Sequence, residues 1–190
     1  MKNLLFSLMA IVLFSFNSNS QNINLLNSDK EFQEYVASEL KFTSNTNDEA
    51  LKQLTMEGSI NEGNLSVFYR AFNTNANDFV SFTNKQTLTY KNLSEKYKFK
   101  SHSEKELNLI LQVEVLEVLN VIYSKLPEPC RDVYINDLQI NFATAVGAHI
   151  ACGTADITVV LGIICHGAVA MGHNAANNNA YINYQNCLKK

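Results

Sequence analysis

The sequence has no tryptophan, and its two prolines, Pro127 and Pro129, stand together. The short motifs that announce many chemistries are missing. No serine sits in a GxSxG turn and no glycine-rich phosphate loop occurs, which argues against α/β-hydrolase and P-loop chemistry. There is no CxxC, HxxxH or HExxH, so the close ligand pairs usual in zinc sites are absent. Basic charge is not in excess: 15 Lys and Arg stand against 18 Asp and Glu, a net charge of −3. A phosphate-backbone partner needs clustered Lys and Arg, so no nucleic-acid partner is expected. Charge nearly vanishes near the C-terminus. Between Asp132 and Leu188 the formally charged side chains are Asp132, Asp137 and Asp156.

What is present begins with a compartment signal. Met1-Lys2-Asn3 is a short basic start, Leu4 to Phe16 is an apolar run of 13 residues, and Ser18-Asn19-Ser20 offers small side chains for cleavage. This three-part pattern predicts a signal peptide over residues 1–20, with the mature chain starting at Gln21. As a helix the run would span about 20 Å, short of a ~30 Å hydrocarbon core. All four cysteines, at 130, 152, 165 and 187, lie in the C-terminal third. An even count in an exported chain implies disulfides.

Residues 21–126 read as a helical N-terminal region. Ser28-Asp29-Lys30-Glu31 has the form of a capping box with Ser28 as the cap. Phe32, Tyr35, Val36 and Leu40 follow at helical spacing. Leu51 and Leu54 mark a second helix stopping near Gly58, and Leu65, Phe68, Ala71 and Phe72 a third, ended by the Asn-rich run 73–77. Phe79 and Phe82 begin a fourth segment, in which Thr87-Leu88-Thr89-Tyr90 alternates and admits a strand. The lysines at 91, 96, 98 and 100 around Tyr97 and Phe99 read as a solvated helix face, with a patch for anionic lipid as the alternative. A second capping box, Ser103 to Glu106, opens the strongest helix, which runs to about Leu126 with a wide apolar face from Leu107 to Ile122. Leu126 precedes Pro127, which biases it away from helix and sets the expected boundary.

Residues 127–190 read as a cysteine-stapled apolar helical region of three helices. The first, from Asp132 to about Ala151, puts Ile135, Leu138, Phe142, Ala145, His149 and Cys152 on one face; its small residues, Gly147 among them, would allow close helix approach. Gly153-Thr154 breaks it, and Asp156 is placed to cap the next helix. Ile157 to Gly172 carries no charge and should be buried, though its β-branched start leaves a strand open. His173-Asn174 turns the chain into a last helix through Ala176, Ala180, Tyr184 and Cys187. Four cysteines allow three pairings. An up-down-up arrangement favours Cys130–Cys165 with Cys152–Cys187.

The fold class expected is therefore mainly α, a helical bundle with a disulfide-stapled apolar three-helix C-terminal part. His149, Cys152, Asp156, Cys165, His166 and His173 together could suggest a metal set, but their spacing favours histidines at the rim of a helical core. Cys165 and His166 are sequence neighbours and point about 100° apart on a helix, so they do not form a nucleophile–base pair. No catalytic residue, metal or cofactor is assigned. The polar first part and Gly/Ala-rich, cysteine-bearing second part resemble the layout of some secreted bacteriocin precursors. That resemblance implies a membrane-active antibacterial protein whose active part is the C-terminal cysteine segment. The residues themselves favour a secreted or periplasmic interaction or envelope protein. Its partner would be a protein or envelope component, with membrane contact through the C-terminal apolar segment.

Overall fold

A computed structural model describes residues 22–155 and 159–190. The expected signal peptide and Asp156 fall outside the described residues. A 3₁₀ turn, Ile23–Ser28, leads into α1 (Lys30–Ser44), α2 (Asp48–Glu57), α3 (Leu65–Ala71), α4 (Ala76–Lys96), α5 (Glu104–Ile122), α6 (Cys130–Ala155) and α7 (Val159–Cys187). Among the described residues there is no strand, so the mainly helical bundle expected from the sequence is what forms.

The caps explain most helix starts. Ser103 Oγ accepts from the Glu106 amide at 3.3 Å, and Glu106 accepts from the Ser103 amide at 2.9 Å, closing the box that opens α5. At α1 the cap is Asp29 rather than Ser28: its carboxylate accepts from the Glu31 amide at 2.8 Å. Asp29 also takes Lys96 Nζ at 2.6 Å and the Tyr97 hydroxyl at 2.8 Å, tying the start of α1 to the end of α4. Gly58 ends α2 in the left-handed region at φ 75°, where a Cβ would be penalised.

Two expectations about elements fail. The alternation at Thr87–Tyr90 lies inside the 21-residue helix α4. Four residues of alternation are outweighed by Phe79, Phe82, Gln86, Tyr90 and Leu93, which recur at three and four residues and make one helical face. The C-terminal part contains two long helices where three were expected. The chain does not turn at His173-Asn174, because both side chains are buried in packing contacts and Asn174 Nδ2 donates to the Thr43 carbonyl of α1 at 2.6 Å. The Asn177–Asn179 run costs helix propensity, but tertiary packing overrides it.

The disulfides differ from the expected pairing as well. Cys130 joins Cys187 and Cys152 joins Cys165, with Cα–Cα distances of 5.7 and 5.6 Å. The preferred Cys130–Cys165 and Cys152–Cys187 pairs assumed three helices. With two antiparallel helices, the residues that come level are those equally distant from the turn. Cys130 and Cys152 are 22 residues apart on α6, and Cys165 and Cys187 are 22 apart on α7, so both bridges share one register.

The hairpin of α6 and α7 is built into the bundle. Ile135, Leu138, Phe142 and Val146 of α6 share a core with Tyr35, Val36 and Leu40 of α1 and Val115 and Leu119 of α5. A second core gathers Leu54, Phe68, Phe72 and Phe79, with Ala170 of α7 and the partly buried Phe42 and Phe82 packed in. Burying each such side chain contributes roughly 1.5–3 kcal/mol. The helix α7 approaches closely at Gly167, where an added Cβ would lie 2.9 Å from Ile60 Cδ1 and 3.3 Å from the Phe68 ring. Gly147, one of the small residues expected to allow close approach, faces no atom within 4 Å of an added Cβ. No helix among the described residues is long and apolar enough to cross a membrane.

Candidate functional site

The helix α1 buries one face against the hairpin, and on that face stands a carboxylate. Tyr35 and Glu39 are one turn apart, and Glu39 is 2 % exposed among Val36, Leu40 and Thr43. The helix α4 brings Gln86 opposite, and the hairpin brings His149 from α6 and His166 and His173 from α7.

Glu39 is well provided with partners. Its Oε2 accepts from Gln86 Nε2 at 3.0 Å, and Gln86 Oε1 in turn accepts from Ser38 Oγ at 3.2 Å. Its Oε1 faces His149 Nε2 at 3.3 Å and His173 Nδ1 at 3.5 Å. Burial on its own would raise the carboxyl's pKa. The contact from His149, the approach of His173 and the charges the two rings can carry outweigh that and hold Glu39 well below the ordinary carboxylate range. Burial first, then the Glu39 charge, push the neighbouring Tyr35 hydroxyl upward, so it stays a neutral phenol.

The histidine contacts fix a proton count. Because Glu39 Oε1 is an acceptor, His149 Nε2 carries a hydrogen. His149 Nδ1 and His166 Nδ1 are 2.8 Å apart, so one proton lies between them. Two N–H groups could not face each other at that distance, and neither could two lone pairs. The two rings lie nearly parallel, with centroids 5.1 Å apart. His173 is enclosed, with a side-chain exposure of 0 %; its ring meets Phe142 edge to face, and its Nδ1 lies 3.5 Å from Glu39 Oε1.

This polar group forms part of the wall of a cavity of about 360 Å³ between α1, α4 and the hairpin. Most of the wall is apolar, with Tyr35, Phe82 and Tyr90 supplying the rings. Glu39, Gln86, His149 and His166 supply the polar side, and Lys91, Glu95 and Lys100 stand where the wall is exposed. That volume lies within the range of small-molecule pockets.

The residues singled out by sequence fall into three groups. His149 and His173 come together, not at the rim but at a buried carboxylate, and His166 joins them through His149. Cys152 and Cys165 are bonded to each other at the inner end of the hairpin and are not ligands. Among the described residues no group of three His, Cys, Asp or Glu side chains is arranged to hold a metal ion. Glu114 is buried on α5, but it accepts the Asn27 amide at 2.8 Å and fastens the N-terminal turn. Glu39 itself was missed. The available signal was an acidic residue in register with the apolar face of α1, four residues after Tyr35.

No family model, curated protein or solved structure matches the chain.

Proposed function

We propose that the protein is an exported helical binding protein, an interaction or envelope component that holds a small, largely apolar ligand. The two disulfides fit an oxidising, extracellular or periplasmic compartment, and the signal-peptide pattern at residues 1–20 supports export. One observation carries the binding reading. A charged carboxylate, Glu39, is kept buried and fully partnered in the wall of a mostly apolar cavity. Burying a charge costs several kcal/mol that an apolar side chain would avoid, and the best-placed return on that cost is a site. A cavity with apolar walls and a few convergent polar groups is the ordinary form of a ligand site.

The test is saturable binding of a neutral polarity-sensitive dye such as Nile red to the disulfide-intact protein. Thr83→Trp, which fills the cavity from α4, should abolish it while far-UV circular dichroism is unchanged. Dye binding that survives in the folded Thr83→Trp protein would overturn this assignment. The membrane-active alternative requires α6 and α7 to leave the cores they share with α1, α3 and α5. Dye leakage from vesicles on adding the intact chain would favour that alternative.

A further inference from the structure

We propose that the cavity takes a single-chain amphiphile with an anionic head, the head at Lys91 and Lys100 and the chain lying along α4 toward Phe82. The inference rests on the binding reading above and adds the chemistry of the ligand.

The first support is shape. From Phe82 to Glu95, α4 gives the cavity one continuous helical face, with lining residues recurring at three and four positions. From the level of Lys91 to that of Phe82 is about 14 Å at 1.5 Å per residue, so the wall is elongated along the helix. An extended hydrocarbon chain fits such a wall better than a compact ring system does.

The second support is the distribution of charge. The polar groups at the buried side are already committed: both Glu39 oxygens have partners, and His149 and His166 share a proton. The uncommitted charges are all at the exposed end. Lys91, Glu95 and Lys100 line the cavity there, and none of them makes an ion pair among the described residues. The nearby Lys96 is different, being bound to Asp29. Two unpaired cations against one carboxylate favour an anionic head over a cationic one. An ammonium at the donors' end can form charge-assisted hydrogen bonds to a carboxylate or a phosphate monoester.

Binding to the intact protein is measured by displacement of the dye, each probe kept below its micellar concentration. The probes are dodecanoate, dodecyl phosphate, dodecanol and dodecyltrimethylammonium. Dodecanoate or dodecyl phosphate should bind more tightly than dodecanol. A preference between the two anions separates a free acid from a phosphate-headed lipid as the source. The double substitution Lys91→Gln/Lys100→Gln should weaken the anions about tenfold and leave dodecanol unchanged, as expected for two charge-assisted contacts at an exposed mouth. Glu95→Gln should tighten the anions by roughly threefold. All three side chains are exposed, so these variants test the head contact and not the fold. If dodecanol matches dodecanoate, or the ammonium probe binds best, the head assignment is wrong while the cavity reading stands. If no amphiphile displaces the dye and Thr83→Trp has no effect on dye binding, the binding reading itself is wrong.

Discussion

Replacing Glu39 by Gln is the sharpest test of how the site is held together. The substitution keeps shape and removes charge. In the wild type, one oxygen takes His149 and lies beside His173, and the other takes Gln86. A glutamine offers one oxygen and one NH₂ group. If its oxygen serves His149, its NH₂ faces Gln86, whose amide can turn over to accept it, so the cost is chiefly the lost charge facing His149 and His173. Breaking a buried charged contact by removing one partner costs about 3–5 kcal/mol, and the retained shape puts Glu39→Gln near the lower bound, about 3 kcal/mol at neutral pH. For a chain of this size that is a drop of roughly 6–12 °C in melting temperature. The pH dependence carries a second, independent signature. The folded pKa of Glu39 is depressed below the ordinary value of 4.5. Its stabilisation is therefore fully present above that value and drains as pH falls toward the folded one, by about 1.4 kcal/mol per unit. The gap between wild type and Glu39→Gln should narrow as pH falls below about 4.5 and be nearly closed at about pH 2.5. Thermal melts by circular dichroism across that range would read both. A variant melting within a degree or two of wild type at pH 7, or a gap indifferent to acid, would show that Glu39 is not a buried, charged anchor.

Two further predictions concern the hairpin. Removing Cys130–Cys187, which spans 57 residues, should cost about 4 kcal/mol, and removing Cys152–Cys165, which spans 13, about 3 kcal/mol; urea unfolding of the two Cys→Ser pairs checks the order, and a non-reduced digest linking Cys130 to Cys165 would refute the nested pairing. Gly167→Ala should lose roughly 1–2 kcal/mol to its clash with Ile60 and Phe68, whereas Gly147→Ala, with open space around it, should gain up to about 1 kcal/mol from helix propensity; thermal melts that rank the two the other way would place the close approach elsewhere.

Much of the local structure was legible because it depends on neighbours in sequence. The Ser103–Glu106 box and the stop at Gly58 are signals contained within a turn of helix, and both act where they were read. The face carrying Ile135, Leu138, Phe142 and Ala145 is also buried as its spacing implied. What failed was long-range. His173-Asn174 looks like a turn until Thr43, 131 residues before Asn174, supplies a buried carbonyl for the asparagine amide. The pairing of four cysteines depends on whether two or three helices follow Cys130. The equal spacing of 22 was present in the sequence, but it points to nested bridges only for a single antiparallel hairpin. Glu39 was passed over because a carboxylate every few residues is ordinary on a polar helix. Its importance comes from two histidines, His149 and His173, that lie more than a hundred residues further along.

The two bridges have a mechanical consequence. With a covalent tie at each end and both ties at the same offset, α6 cannot slide along α7 by even one residue without breaking a bond. Shear of packed helices, a common way for a bundle to open, is closed to this pair. The walls bearing His149 and His166 therefore act as a fixed jaw. Any widening of the cavity must come from the opposite side, where α1 and α4 meet the hairpin through side-chain packing and hydrogen bonds without a covalent tie.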